Sequence, residues 1–186
     1  MPKAAAGQVL IKNHFLSLDP YMRGRMGTGK SYVKGVEIGE VMTGEAAGEV
    51  VESQHPGFKA GDRVVAHTGW QLYGVLPGES VRKVDASKIP LSYFLGMVGM
   101  PGCTAYFGLS EIGQPKAGET VVVSGAAGAV GGIVGQISKL RGSRVVGIAG
   151  GKAKCDYVTK ELGFDACLDY KAGNLFENMR TAAPKG

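Results

Sequence analysis

The chain has 186 residues, enough for one sizeable hydrophobic core or two small ones, and its 44% hydrophobic and 20% charged residues exclude a disordered protein. Its net charge of +5 comes from scattered lysines and arginines, so the sequence predicts no nucleic-acid partner. No apolar run approaches the roughly 18 residues that cross a bilayer and no signal peptide follows Met1, so we expect a cytoplasmic protein without a membrane partner.

Up to about residue 90 the sequence is typical of short strands and turns. Residues 8–18 predict a strand that ends before Asp19-Pro20, because a following proline disfavours helix. Glycines interrupt a second strand pattern over residues 39–53. Three further strands are predicted within residues 55–67, 71–76 and 79–84. Strands at intervals of about ten residues with glycine between them predict a small barrel or sandwich.

The second half of the sequence alternates strands with helices. Residues 92–113 are apolar and helix-like, with a break expected at Met100-Pro101-Gly102. Residues 119–125 form a continuous apolar run that is typical of a central parallel strand. Apolar residues then recur at helical spacing, at Val130, Ile133, Val134, Ile137 and Leu140. Two more strands, at 143–150 and 164–170, each precede a predicted helix, at 152–163 and from residue 174.

This β-α-β-α-β-α order predicts an α/β fold with a parallel sheet. It corresponds to the first half of a Rossmann doubly wound sheet, over residues 91–186. The sequence stops where a fourth strand is expected, so we expect the domain to be incomplete.

Glycines recur every third residue at Gly125, Gly128 and Gly131, where the first parallel strand turns into its helix. A dinucleotide-binding turn requires small residues here, for the tight turn, for contact with the pyrophosphate and for packing of the helix on the strand. The helix N-terminus then offers free N–H groups and a positive dipole end to the phosphates. Within a complete βαβ unit this spacing predicts a nucleotide site rather than a turn that only packs closely.

The end of the second parallel strand predicts which dinucleotide binds. Domains that bind NAD place an Asp or Glu there for the ribose hydroxyls, whereas this strand is followed by Gly150-Gly151 and then by Lys152 and Lys154. No carboxylate repels a 2′-phosphate, and lysine is a good point-charge partner for phosphate. The sequence therefore favours NADPH over NADH, and we assign Gly150 to the cofactor site.

Metal and hydrolase chemistry is not predicted. The three histidines and three cysteines form no C-x-x-C, H-E-x-x-H or comparable cluster, so no metal ligands are assigned. An odd number of cysteines without a framework spacing favours a reducing compartment. The Gly-x-Ser-x-Gly hydrolase motif is absent from the strand-to-helix turns.

Four segments carry a resemblance to a known family. They are residues 16–23 (LSLDPYMR), 100–106 (MPGCTAY), 126–131 (AAGAVG), and 154–165, which begins with Lys154-Cys155 and ends in LGFD. With these segments the chain resembles the zinc-independent medium-chain dehydrogenase/reductases. Within them it is similar to the branch of prostaglandin reductases, plant double-bond reductases and bacterial curcumin-reductase-like enzymes.

The resemblance implies a GroES-like substrate domain over residues 1–90 and an NADPH-binding Rossmann domain over 91–186, each incomplete, with the cofactor in the cleft between them. It implies hydride transfer from NADPH to the β-carbon of an α,β-unsaturated ketone or aldehyde. Five residues or segments receive roles from it: Gly128-Ala129-Val130-Gly131 for the pyrophosphate, Lys154 for the 2′-phosphate, Tyr170 beside the adenine ribose, Thr104 near the nicotinamide, and Tyr21 in the substrate pocket.

Family members have further strands before Gly7 and continue past Gly186 into the rest of the sheet and a dimerising strand. We therefore expect a chain truncated at both ends, and a homodimer for the full-length form. The tyrosine credited with assisting enolate protonation would lie in the missing part, so no catalytic residue is assigned.

Two other functions stay open. One is NADPH-dependent quinone reduction, which uses the same cofactor and a similarly dry cleft. The other is nucleotide binding without catalysis, either as a non-catalytic protein or as an inactive fragment. Rates on a small alkenal and on a benzoquinone would separate the two enzymatic functions.

Overall fold

A computed structural model of the chain describes residues 1–27, 29 and 33–184. It divides into two compact units, Met1–Leu95 and Gly96–Gly186. No helix among the described residues is long and apolar enough to cross a membrane.

The first unit is an antiparallel five-stranded sheet with strand order β4-β1-β2-β3-β5. One face carries a core of aliphatic side chains that includes Val9, Ile11 and Val64. The other face packs Ala47 and Val65 against Leu95. The elements in chain order are β1 (Gln8–Leu16), α1 (Tyr21–Arg25), β2 (Ala46–Ser53), β3 (Arg63–Ala66), β4 (Tyr73–Pro77), a 3₁₀ turn (Gly78–Ser80), β5 (Arg82–Lys83) and a second 3₁₀ helix (Leu91–Leu95).

The strand predicted over residues 39–53 is shorter than expected, since only its second part, β2, pairs in the sheet. Gly39 has a φ of +95°, which turns the chain out of an extended path. The backbone after it bonds to a loop, because Trp70 N–H donates to Met42 O at 2.8 Å and Gly69 N–H donates to Gly44 O at 3.0 Å.

The second unit has a parallel three-stranded sheet with strand order β6-β7-β8. The predicted alternation of strands and helices is confirmed. Its core includes Val123, Val145, Val158 and Phe164. The elements in chain order are α2 (Met100–Phe107), a π-helical turn (Gly108–Gly113), β6 (Thr120–Ser124), α3 (Ala129–Leu140), β7 (Arg144–Ala149), α4 (Lys152–Lys160), β8 (Ala166–Asp169) and α5 (Leu175–Ala182).

The break expected at Met100-Pro101-Gly102 is wrong, because these residues begin α2. Proline suits the first turn of a helix, where its missing N–H has no intrahelical acceptor. Gly102 is needed for a different reason, since a Cβ there would collide with the carbonyl oxygen of Met97. The helix-like segment predicted over residues 92–113 is interrupted earlier, between the 3₁₀ helix that ends at Leu95 and the start of α2 at Met100.

The expectation that β6 is a central strand is not met among the described residues, where β6 is an edge strand and β7 is central. Val122 in β6 is accordingly 39% exposed. A continuous apolar run indicates that both faces suit burial, but it carries no information about which neighbours pair with the strand.

Helix α3 buries its small residues most deeply, and its predicted apolar stripe is at most half-buried, with Val134 packed against the core. Its fully buried positions are Gly131, Gly132, Gly135 and Ser138. The larger apolar residues of the stripe, among them Ile133, Ile137 and Leu140, line an apolar groove of about 400 Å³ that α2 borders with Cys103, Tyr106 and Phe107.

Candidate functional site

A groove of about 670 Å³ lies in the second unit, at the carboxyl ends of the parallel strands. Strands β6, β7 and β8 end at Ser124, Ala149 and Asp169, and because they are parallel these ends meet at one edge of the sheet. This edge is where open α/β sheets bind ligands. The lining residues are Ser124, Gly125, Ala127, Gly128, Ile148, Ala149, Gly150, Lys154, Tyr170 and Leu175.

The glycine turn forms one wall of this groove. Gly125 has a φ of +59°, a left-handed conformation that favours glycine. The N–H of Gly128 donates to the carbonyl oxygen of Gly125 at 2.8 Å, which closes the turn. A Cβ at Gly131 would collide with that same carbonyl, so glycine there allows helix α3 to approach the turn. Gly125 thus provides the left-handed turn, Gly128 closes it with a hydrogen bond, and Gly131 allows the close approach of the helix.

The N-terminus of α3 begins at this turn with unpaired donors. The first backbone hydrogen bond of the helix runs from Gly132 N–H to Gly128 O at 2.9 Å. The N–H groups of Ala129, Val130 and Gly131 precede it and have no acceptor within the helix. No side chain caps this N-terminus, and its first turn holds no acidic residue. The arrangement suits an anionic group, since free donors and the positive dipole end coincide.

The opposite wall combines a glycine turn, a lysine and a tyrosine. A Cβ at Gly150 would lie 2.6 Å from the Tyr170 hydroxyl oxygen, so glycine at this position lets the tyrosine ring lie directly against the turn. Lys154 lies in the first turn of α4 and lines the groove. Tyr170 is 54% exposed, which leaves part of its ring accessible from the groove.

The two lysines that the sequence placed together differ in the structure. The ammonium of Lys152 lies 2.6 Å from Oδ2 of Asp156, and this hydrogen bond is the main cause that holds the pKa of Asp156 below its usual range. No carboxylate among the described residues lies within ion-pair distance of Lys154, which alone of the two lines the groove. A charge without an ion-pair partner that faces a cavity suits a phosphate.

Sequence reasoning did not identify Asp169, the last residue of β8. Its Oδ1 accepts hydrogen bonds from the backbone N–H groups of Gly151, at 2.8 Å, and Lys171, at 2.9 Å. These two bonds hold the pKa of the carboxyl below its usual range. The available signal was an acidic residue at the carboxyl end of a predicted parallel strand.

Two predicted site residues are not among the residues that line this groove. Thr104, in α2 of the same unit, is not among the lining residues, and its hydroxyl donates to the carbonyl oxygen of Met100 at 2.8 Å. Tyr21 belongs to the first unit, in α1, where it is half-buried and the Arg25 guanidinium lies 5.8 Å from its ring centroid. Their predicted roles near a nicotinamide and a substrate stay predictions.

The thiols of Cys155 and Cys167 are neighbours in this unit. Burial first, and then the neighbouring Cys155 side chain, raise the pKa of the Cys167 thiol to about 12. Cys167 is therefore protonated at neutral pH and a poor nucleophile. Among the described residues no group of three or more His, Cys, Asp or Glu side chains is arranged to hold a metal ion.

The residues of the groove fit a phosphorylated dinucleotide. One wall offers free backbone donors at a helix N-terminus, and the other offers Lys154 and the ring of Tyr170. No carboxylate side chain belongs to the lining, so nothing there repels the phosphates. The volume and the polar groups at opposite ends suit an extended anion rather than a single phosphate.

Comparison with known proteins agrees with this architecture. Residues 1–84 match a family described as the N-terminal domain of oxidoreductase. The chain is 52% identical over 180 residues to the NADPH-dependent curcumin reductase of Escherichia coli (strain K12), a match that covers 97% of this chain and 52% of that protein. It is 47% identical over 190 residues to prostaglandin reductase 1 of Rattus norvegicus, covering 100% of this chain and 55% of the relative.

A solved structure is equally similar. CurA from Vibrio vulnificus in complex with NADPH matches the chain with a TM-score of 0.93 and 49% sequence identity, over 100% of this chain and 55% of that one. The chain spans about half the length of these relatives.

The antiparallel first unit, the parallel βαβ second unit and these matches together support the resemblance to the zinc-independent medium-chain dehydrogenase/reductases, with a GroES-like and a Rossmann part. Its relatives place it in the branch of curcumin and prostaglandin reductases. The resemblance and the fold class predicted from the sequence are thereby confirmed.

Proposed function

We propose that this chain binds NADPH in the groove at the ends of β6, β7 and β8, as part of a reductase that acts on the C=C bond of α,β-unsaturated ketones or aldehydes. The observation that carries the proposal is the groove itself, in which free N–H groups face Lys154 across a lining without carboxylates. Relatives named for NADPH-dependent reduction support the same cofactor and reaction.

Each groove residue has a definite task in this proposal. The backbone from Gly128 through Ala129 and Val130 to Gly131 holds the pyrophosphate, and all of these residues except Gly128 offer N–H groups that have no acceptor within the helix. Lys154 binds the 2′-phosphate as a point charge, and Gly150 and Tyr170 form the adenosine side of the site. When bound, NADPH supplies the hydride for the reaction.

The protein's own contribution to the reaction is mainly positioning. A correctly oriented pair of reactants gains on the order of 7–11 kcal/mol over the reaction in solution. Thr104 is proposed to border the nicotinamide and Tyr21 the substrate. We propose the first unit, residues 1–90, as the substrate domain and residues 91–186 as the cofactor domain.

The cellular setting is part of the proposal too. All three cysteines are free in the structure, which supports a reducing compartment such as the cytoplasm. A homodimer is proposed for the full-length form, with an enone or enal as the small-molecule partner and no nucleic acid.

A binding titration with a matched pair of variants tests the cofactor site. NADPH and NADH are titrated separately into the chain, and nicotinamide fluorescence is followed for the wild type, Lys154→Ala and Lys152→Ala. We expect NADPH to bind more tightly than NADH and Lys154→Ala to weaken NADPH binding about tenfold, the value of one charge-assisted hydrogen bond. Binding of NADH is expected to change less than about twofold.

Lys152→Ala is the control, because it removes the same charge from the same helix turn without altering the groove lining. Equal binding of the two nucleotides by the wild type would contradict the cofactor assignment. Equal losses in both lysine variants would indicate a general effect of charge rather than a 2′-phosphate site. Rates of the full-length protein on a small alkenal and on a benzoquinone then distinguish C=C reduction from quinone reduction, and no turnover of either would favour nucleotide binding alone.

A further inference from the structure

Asp169 connects two loops that border the groove. One of its oxygens, Oδ1, accepts the backbone N–H of Gly151, which lies just before α4, and the backbone N–H of Lys171, which lies just after β8. The carboxylate itself does not line the groove. It therefore contacts the backbone that carries the site rather than the space a ligand would fill.

The two loops carry the side chains of the groove's adenosine wall. Gly151 precedes the helix turn that bears Lys154, and the N–H of Lys154 donates to the carbonyl oxygen of Gly151 at 3.1 Å. Tyr170 stands between Asp169 and Lys171, and its N–H donates to Ala149 O at 3.2 Å. Loss of the hydrogen bond between Gly151 and Asp169 would thus move both loops of the adenosine wall.

The backbone at Gly151 needs such an external tie. Its φ of +95° and ψ of 151° lie in a region that is essentially restricted to glycine. No side chain caps the helix N-terminus that follows. Glycine reaches this conformation without a steric penalty but reaches many others as readily, so contacts must select it, and the Asp169 carboxylate is the charged group that does so here.

We propose that Asp169 is the positioning residue for selectivity between NADPH and NADH, acting through Gly151 to hold Lys154 and Tyr170 at the 2′-phosphate end of the groove. This inference rests on the proposed function. It also explains how a carboxylate can stand at this edge of the sheet without favouring NAD, since its Oδ1 is directed to backbone N–H groups rather than to a ribose.

Asp165, just before the same strand, provides a matched control. Its Oδ2 accepts the backbone N–H of Val145 at 2.6 Å, and its Oδ1 lies 2.8 Å from the ammonium of Lys139. Like Asp169 it accepts two hydrogen bonds and ties β8 to a neighbouring segment. It lies at the opposite end of the strand from the groove, so its loss should affect stability without affecting nucleotide selectivity.

The test compares Asp169→Ala, Asp169→Asn and Asp165→Ala with the wild type. Dissociation constants for NADPH and NADH are measured by nicotinamide fluorescence, and hydrogen exchange is measured at the start of α4 without ligand. We expect Asp169→Ala to lower the NADPH-to-NADH selectivity about tenfold and to speed exchange at the amide of Gly151. Asp169→Asn keeps an acceptor oxygen and should restore most of the selectivity. If Asp169→Ala does not fold, Asp169→Leu, which fills the position without an acceptor, replaces it and should show the same loss of selectivity.

Asp165→Ala should leave the selectivity within about twofold of the wild type while it lowers the unfolding midpoint. A wild-type chain that does not prefer NADPH would overturn the proposed function and this inference with it. Preserved selectivity in Asp169→Ala, in a wild type that does prefer NADPH, would overturn only the role of Asp169. An equal loss of selectivity in Asp165→Ala would also overturn the role of Asp169, because the loss would then follow from reduced stability of the unit in general.

Discussion

A buried phenyl ring occupies the space that a side chain at position 135 would need. Phe164 is only 4% exposed, and a Cβ at Gly135 would overlap its ring atoms. Glycine at this position in α3 therefore sets how closely the helix packs against the core of the second unit. Gly108 offers a contrast, since it is exposed, has a helical φ of −58° and has open space where a Cβ would stand.

Gly135→Ala is expected to lower the free energy of unfolding by about 1–3 kcal/mol, because the buried ring or the helix has to shift to admit the added methyl group. Gly108→Ala is the control and should be neutral or raise it by up to about 1 kcal/mol through helix propensity. Urea denaturation followed by circular dichroism measures both. A neutral Gly135→Ala would mean that the ring of Phe164 relocates at little cost.

Asp165 contributes a pH dependence at the residue scale. Burial raises the pKa of its carboxyl, but hydrogen bonds from Lys139 and from the N–H of Val145 outweigh this, so the pKa in the folded chain lies below the ordinary value of 3.8. A depressed folded-state pKa stabilises the fold above the unfolded-state value, and this stabilisation is lost as the pH falls through the folded-state value.

We expect Asp165→Asn to be less stable than the wild type at neutral pH. The difference should begin to shrink below about pH 4 and continue to shrink as the pH falls through the lower folded-state pKa, because the protonated carboxyl is then neutral like the amide. Urea midpoints between pH 7 and pH 3 measure this difference. If the stability difference between the wild type and Asp165→Asn stays constant over this range, the negative charge of the carboxylate contributes nothing to stability.

At the scale of the element, the pairing of β1 with β2 depends on a close backbone contact. The register shifts twice along this pair, between Leu10 and Ile11 and between Asn13 and Phe15. Gly48 lies opposite Asn13, next to the second shift, and a Cβ there would collide with the carbonyl oxygen of Lys12. Because that neighbour is backbone, the strand pair itself would have to shift to admit a side chain.

Gly48→Ala should therefore destabilise the first unit by about 1–3 kcal/mol. Gly24→Ala in α1 is its control, since a Cβ at Gly24 meets nothing within 4 Å. The fluorescence of Trp70, the single tryptophan of the chain, follows urea unfolding of this unit. Equal midpoints for the two variants would mean that the β1–β2 pair tolerates a wider separation.

At the scale of the whole molecule, each unit has a core of its own. The sheet cores around Val50 and Val65 belong to the first unit, and the core around Val145 belongs to the second. The natural probes are divided in the same way, because Trp70 lies in the first unit and all three cysteines lie in the second. Each unit can therefore be followed separately in one sample.

We expect Gly48→Ala to shift the urea transition seen by Trp70 fluorescence more than the transition seen by thiol labelling, and Gly135→Ala to do the reverse. Chains with separate cores commonly depart from two-state unfolding. Coincident shifts in both probes for both variants would show that the units unfold as one cooperative body.

The order of strands and helices in the second unit was predictable, because apolar periodicity and glycine stops are local properties of the chain. The turn at Gly125 to Gly131 was equally local, and its assignment to a nucleotide site remains a prediction that the groove supports. The sequence also contained the family resemblance, which the relatives confirm.

Tertiary structure alone decided which residues do what within those elements. The charge pattern after β7 did not distinguish Lys152, held by Asp156, from Lys154, which lines the groove, and only the family resemblance favoured Lys154. The periodicity of α3 predicted that its apolar stripe would be the most buried face. The glycine face is buried more deeply, because Gly135 packs against the ring of Phe164, which comes from a distant segment of the chain. Burial and pairing depend on neighbours brought together by folding, and periodicity along one segment does not encode who those neighbours are.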